Sequence, residues 1–488
     1  MKHIKRILSG MLVLLLLCGT ACGTADPVIT DTTTALSAET TLPETTAAPV
    51  ETEISPELES RDFEGKTFNI LAQRWSSYAP LDYVDITVTE STGEVLNDAA
   101  YNRNLIMEDK YNCKVNMIQV DGDSGLSTLA RDIMSNNGEY DVVLLRGIHA
   151  ASAVTNNYLT DFSTLPHVDI SQPWWYGDSY QTLAVNGKQY IGMSYVTTNH
   201  MNAVWTVCFN KKMVSEMSLD DPYELVSSGK WTFDKAIEMS KLVASDLNGD
   251  SVMNADDRWG INHTRDTVIG ILNSCGVQIA EMRNGKMEVT IDSEVSIDRM
   301  QDILTKLFNE EYAMDTMRPT MQAYNSDGEF FAEGNILFLF TATHLIGHLR
   351  QMDLDFGMLP YPKYTESEDY RSTAAGIFST LTTVPVSVKD PDAVGYFLEA
   401  YTYEGYRLLK PAYYDNILQG KVIRDEESGA VLDDIYGNLT YDAGNLYNIG
   451  EMSSAIGELS NTLNTNIASF LKIRSRLLQK AVDTFNQE

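Results

Sequence analysis

Cysteine is scarce in this chain: there are five among 488 residues, and no pair is spaced Cys-x-x-Cys. That excludes a disulfide-stapled scaffold and argues against zinc-ribbon or dithiol redox chemistry. Basic side chains are also in short supply, 36 Lys and Arg against 68 Asp and Glu, for a net charge of −32. Such a balance argues against a nucleic-acid partner and against adhesion to an anionic membrane surface, and gives a soluble acidic exterior. Beyond the first residues no apolar run reaches membrane-spanning length. The sequence also lacks G-x-S-x-G, H-E-x-x-H and the phosphate-cradling G-x-x-x-x-G-K. Paired carboxylates of the glycosidase kind stay open among so many acids, but no pair stands out.

What is present begins at the N-terminus. Lys2, Lys5 and Arg6 precede an apolar run from Met11 to Leu17, which is a charged segment followed by a short hydrophobic one, as in an export signal. It leads into Gly19-Thr20-Ala21-Cys22, which resembles a lipobox, with Gly19 where leucine is usual. The expectation is a lipid on Cys22 and a protein exported and anchored to the outer face of the cell membrane. Plain cleavage after Ala21 is the alternative. Residues 23–61 carry many Thr, repeated Pro and acids such as Asp26, Glu39, Glu51 and Glu59. Too poor in apolar residues to offset ordering entropy, this stretch is expected to be a disordered acidic tether.

The more than 400 residues that remain are too many for one core and suit two lobes. Lys66–Ala72 alternates as a strand, and residues 95–111 have helical spacing. Cys113–Val120 alternates again, residues 125–135 read as a helix, and Tyr140–Leu145 is a buried apolar strand. This is a doubly wound α/β pattern, whose ligands sit beyond the carboxyl ends of the strands. Those ends direct attention to Gln73-Arg74-Trp75 and to Arg146 and His149. Further on, residues 203–210, 335–340, 355–360 and 379–384 read as strands. Helices are expected from Thr232 (as N-cap), over 295–309 and over 392–409, with a long amphipathic one at the C-terminus that includes Ile456, Leu463 and Phe470. Cys113, Cys208 and Cys275 leave either one disulfide or buried free thiols.

Several stretches occur together in an order that resembles the extracellular solute-binding proteins of ABC importers, the maltose-binding-like superfamily in its lipoprotein form. They are Arg103-Asn104 with Glu108-Asp109-Lys110-Tyr111, Pro173-Trp174-Trp175, Phe209-Asn210-Lys211-Lys212, Gly229-Lys230-Trp231-Thr232, Phe331-Ala332-Glu333-Gly334-Asn335 and Phe356-Gly357-Met358-Leu359-Pro360. The resemblance implies a two-lobe periplasmic-binding-protein-like fold of type II, with doubly wound sheets and hinge-crossing strands. Lobe one is expected over 62–207 with about 355–400, and lobe two over 208–354 with 401–488. It further implies a monomer that binds a small molecule, a sugar above all, closes on it and docks on permease subunits without catalysis. A peptide receptor, a sensor lipoprotein and a secreted glycoside-processing enzyme are the alternatives.

Two groups of residues are candidate sites. Asp246, Asn248 and Asp250 alternate around Gly249, and Asp257 closes the loop, so with the Val252 carbonyl they could hold a structural calcium in a dockerin-like arrangement. Sugars are gripped by ring faces and planar polar groups. The ligand candidates are Arg74, Trp75, Arg146, His149, Trp175, Tyr195, Trp205, Thr341, Thr343 and His344. Trp231 and Trp259 are expected to pack the second lobe instead.

Overall fold

A strand–helix–strand alternation opens the folded body in the computed structural model. The structure describes residues 54–74, 83–122, 124–176, 183–316, 327–349, 353–374, 379–419 and 426–487. Cys22, the export segment, most of the tether and Trp75 lie outside them.

β1 (Lys66–Arg74), α1 (Val95–Tyr111), β2 (Cys113–Asp121), α2 (Ser124–Ser135), β3 (Val142–Arg146) and α3 (Gly147–Thr155) follow in order. β1 is parallel to both β2 and β3. All five residues of β3 are buried, as expected for a strand covered on both faces. The second run comprises β4 (Trp205–Asn210), α4 (Lys211–Glu216), α5 (Pro222–Ser227), α6 (Phe233–Val243), β5 (Trp259–His263) and α7 (Arg265–Ser274). The hairpin β6 (Ala280–Arg283) and β7 (Lys286–Val289) precedes α8 (Glu294–Leu307), β8 (Ala313–Asp315), α9 (Asp327–Ala332), β9 (Ile336–Ala342) and α10 (Thr343–Leu349). Last come β10 (Phe356–Leu359), β11 (Ser372–Thr373), β12 (Thr380–Thr383), α11 (Pro391–Gln419), α12 (Glu426–Gly437), β13 (Leu439–Thr440), α13 (Ala443–Leu446), α14 (Met452–Thr462) and α15 (Ile467–Phe485).

The strands form two main sheets, ordered β12-β3-β1-β2 and β10-β4-β9-β5-β8. In the first, only β12 is antiparallel to its neighbour; in the second, β4 is antiparallel to both β9 and β10. These assignments move the expected lobe limits. Trp205–Val207 and Phe356–Leu359 belong to the second sheet, not the first lobe, and α11 runs unbroken across position 400. The first lobe owes its core to α11 lying against α1 and β1, with Phe397 stacked on Phe68 at 4.0 Å between ring centroids.

Two other expectations change. The tether ends earlier than residue 61: Leu58 packs on the core, Glu59 O accepts from the Tyr396 hydroxyl, and Arg61 pairs with Asp392 at 2.6 Å. The long C-terminal helix is present as α15 but starts later than expected, with Ile456 on the separate α14, because Leu463 adopts a left-handed backbone (φ 48°) and Asn466 caps a fresh start through Ser469 N. Cys113, Cys208 and Cys275 are buried free thiols. Among the described residues no helix is long and apolar enough to cross a membrane.

Candidate functional site

The parallel pairing of β1 with β2 and β3 brings Arg74, Asp121 and Arg146 to one edge, the carboxyl edge of the first sheet. Arg74 Nε lies 2.7 Å from Asp121 Oδ1. Beside it the buried Gln73 organises the edge. Its Oε1 accepts from Arg146 N at 3.1 Å, and its Nε2 lies 2.6 Å from His149 Nδ1 and reaches Gly122 O. The Tyr83 hydroxyl donates to Gln73 O at 2.9 Å and stands 3.4 Å from Thr380 Oγ1. Burial pushes the Tyr83 phenol up, so it stays a neutral donor. The fold thus places Arg74, Arg146 and His149 along this one edge. Tyr83 was missed, since it follows no strand.

The second sheet presents a different edge. β9 ends at Ala342 opposite Trp205, with Thr341 opposite Thr206. The Trp205 ring lies nearly parallel to Tyr361, with centroids 6.1 Å apart. Both rings lean on Gly270 of α7, where an added Cβ would stand 2.8 Å from Trp205 Cδ1 and 2.9 Å from Tyr361 Cε2. Thr343 turns inward: its hydroxyl donates to Met201 O at 2.5 Å, and its backbone N donates to Val204 O at 2.8 Å. It ties the strand end to the connecting chain, a structural task rather than a contact for a solute. His344 follows it, half-buried, in the first turn of α10.

Two connecting segments join these two edges. One leaves the first sheet where Gly192 bridges Thr382 and enters the second at Trp205; the other leaves at Leu359 and returns at Thr380, opposite Arg146. They touch each other through a Val204–Ala374 bridge. The chain thus places the two carboxyl edges on either side of one crossing.

Trp175 gives way as a stacking platform. It is fully buried, and its indole N–H donates to Glu399 Oε2 at 2.7 Å while Trp174 donates to Oε1 at 2.8 Å. Burial raises the Glu399 carboxyl to about 7 despite these donors. Tyr195 lines a cavity of about 330 Å³ with Tyr176, Tyr406, Lys410, Tyr414 and Tyr436. Its ring stacks on Tyr176 at 5.1 Å and its hydroxyl donates to the Tyr176 hydroxyl at 2.6 Å. His200, 3.0 Å from that hydroxyl, is held neutral by burial, its pKa lowered to about 3. α11 supplies one wall and α12, which packs on β10, another, so the cavity lies between the two halves. The sequence separated these tyrosines too widely to group them.

Trp231 and Trp259 pack the second lobe as expected. Their indole N–H groups donate to Pro360 O and Asn254 O, both at 2.9 Å. In the loop 246–257 the acidic oxygens are used by the loop's own amides. Asp246 accepts from Gly249 N at 2.6 Å and Ser251 N at 2.8 Å, and Asp257 accepts from Leu247 N and Asn254 N, each at 2.8 Å. Asn248 and Asp250 accept from Asp250 N and Val252 N. Each oxygen keeps a second lone pair, so the donor set still suits a hard cation. Among the described residues, however, no three His, Cys, Asp or Glu side chains converge as a metal site.

A family model described as bacterial extracellular solute-binding protein matches residues 88–402. No curated protein matches the chain in sequence. Solved structures share the fold at low identity. An ABC substrate-binding protein from Listeria monocytogenes in complex with cycloalternan is 15% identical with a TM-score of 0.55, over 86% of this chain and 98% of that one. A cyclo/maltodextrin-binding protein complexed with maltotetraose is 13% identical (TM-score 0.54, 87% and 98% covered). A Mycobacterium tuberculosis protein in complex with glycerophosphocholine is 15% identical (TM-score 0.57, 84% and 98% covered).

Proposed function

The chain belongs to the bacterial extracellular solute-binding protein family, and we propose that it is the receptor of an ABC importer for a sugar or oligosaccharide. Its role is to bind a solute rather than to transform one. The observation that carries the sugar reading is the pairing of unlike edges across one crossing. One edge offers Gln73, Arg74, Arg146 and His149, and the other offers the Trp205 ring, backed by the buried Tyr361. A sugar presents the matching chemistry, hydroxyls around its rim and C–H bonds on its faces. Relatives of the same fold hold cycloalternan and maltotetraose. Solute between the lobes stabilises the closed arrangement, and the closed lobes dock on the permease.

A second reading has its own support. Two arginines at one edge suit a phosphodiester, and a relative of this fold holds glycerophosphocholine. Thermal-shift titration with maltodextrins, glycerophosphocholine and short peptides separates these. Stabilisation by maltodextrins or other sugars is the expected result, whereas stabilisation by peptides alone overturns both readings.

Export and a lipid on Cys22 complete the proposal, and mass spectrometry of the processed N-terminus tests them: an unacylated Cys22 removes the anchor and leaves the binding role. For the loop 246–257 the proposal is one structural calcium on Asp246, Asn248, Asp250, Asp257 and the Val252 carbonyl. Its support is the alternation of oxygen side chains around a loop already turned by its own amides. Calorimetry on chelator-treated protein checks it, and the absence of both heat and a melting shift on adding calcium rejects it.

A further inference from the structure

The excess of acid over base is reversed on one helix. α15 carries Lys472, Arg474, Arg476 and Lys480 against Asp483 alone, in a chain of net charge −32. Lys472, Arg476 and Lys480 are exposed and recur at four-residue spacing, which aligns them in one stripe on the solvent side. Next to that stripe Ile473 is 77% exposed and Leu477 54%. These are also four apart, so they form a second, apolar row beside the charged one. The helix is fixed by its other side, where Phe470, Leu471, Leu478 and Val482 are buried.

Among the described residues the three stripe cations have no ion-pair partner, whereas Arg74, Lys235, Arg299 and Lys306 each have one. The Arg474 guanidinium lies 4.5 Å from the Phe470 ring centroid, its charge likewise unopposed. A row of unpaired cations beside a row of exposed isoleucine and leucine matches a surface that is anionic outside and apolar beneath. The net charge of −32 opposes adhesion of the molecule as a whole, but screening limits the reach of each charge to about 8 Å at physiological ionic strength, so a contact confined to this one basic face is compatible with it.

We propose that this face of α15 is a peripheral membrane-contact surface. Lys472, Arg476 and Lys480 meet anionic lipid headgroups, and Ile473 and Leu477 enter the boundary between headgroup and acyl chain. Its biological use rests on the proposed residence at a membrane. The contact itself is measured without the lipid anchor, so failure of one does not entail failure of the other.

The test uses the processed, unacylated chain, which keeps the compact unit Ser55–Glu488 whole. It is co-sedimented with vesicles of phosphatidylcholine alone or mixed with phosphatidylglycerol. Partitioning onto the mixed vesicles alone, declining with added salt, is expected. The triple variant K472E/R476E/K480E should partition at least about tenfold less, and I473S/L477S severalfold less. Because all five side chains are exposed, melting temperatures should match the parent protein and exclude misfolding. Equal partitioning of parent and triple variant overturns the proposal, as does no partitioning of the parent. Binding to soluble polyglutamate in place of vesicles also overturns it and assigns the face to an acidic protein.

Discussion

The two carboxyl edges that flank the crossing are made of different materials. In the first lobe the edge is a hydrogen-bonded polar lattice, with Gln73 tying together Arg146 N, His149, Gly122 O and Tyr83. In the second it is ring against ring, Trp205 and Tyr361 leaning on a glycine that leaves them room. A polar lattice fixes donors and acceptors in direction, so it discriminates hydroxyl patterns. Stacked rings supply contact area with little directional demand. Under the proposed solute reading, the contrast assigns orientation to the first lobe and residence to the second.

Removing the rings should break the comparison most visibly. Trp205→Ala deletes a buried indole between Gly270 and Tyr361, and should cost about 3–5 kcal/mol of stability, read as a lower urea midpoint. A change below about 1 kcal/mol would mean that the ring is not part of the packed edge.

The lobes also differ in where they hide a carboxyl, which gives each its own pH signature. Glu399, clamped by Trp174 and Trp175 in the first lobe, is raised from 4.5 to about 7. Asp442 accepts from Ile279 N at 2.9 Å in the second and is raised from 3.8 to about 6. Burial is the dominant cause in both. The native state therefore holds protons that the unfolded chain has already released. The stabilisation is whole below the unfolded value and disappears as pH rises through the native one, about 3 kcal/mol for each group. Melting followed by pH should show Glu399→Gln flattening the slope between pH 4.5 and 7, and Asp442→Asn flattening it between 3.8 and 6. An unchanged slope in either variant would remove that group from the account.

The smallest effect sharpens the first-lobe side. Gln73→Ala leaves Arg146 N and the His149 ring short of a partner, and should cost about 1–3 kcal/mol. Solute affinity should fall by more than this stability loss explains, and equal affinity in the variant would show that the lattice does not orient the solute.

Much of this architecture could be read from periodicity. Residues 95–111 are a helix between the limits that their spacing indicates, and the strands at 66–74 and 113–121 extend slightly beyond their alternating runs. Thr232 caps its helix through Lys235 N, as its position ahead of an apolar run suggested. Those features depend on neighbours in sequence. What stayed hidden depends on distant ones. Nothing around Pro173-Trp174-Trp175 discloses that its indoles answer to a carboxylate more than two hundred residues later. The tyrosines at 176, 195, 406, 414 and 436 meet only because the chain crosses between lobes and back. The break at Leu463 was equally silent, since a leucine in a left-handed conformation carries no local mark. At the carboxyl edge of the first sheet, strand order made the placement of Arg74, Arg146 and His149 legible, whereas Tyr83 comes from a segment without regular structure.

The shared grip of two indoles on Glu399 also bears on optics. Trp174, Trp175, Trp231 and Trp259 all have their N–H groups occupied inside the protein, so their emission should be insensitive to events at the crossing. Among the described tryptophans, Trp205 is the one placed at a carboxyl edge, stacked on a tyrosine. A change in intrinsic fluorescence on adding solute would then be assigned to Trp205 or to Trp75, and its loss in Trp205→Phe would identify the ring that makes the chain its own reporter.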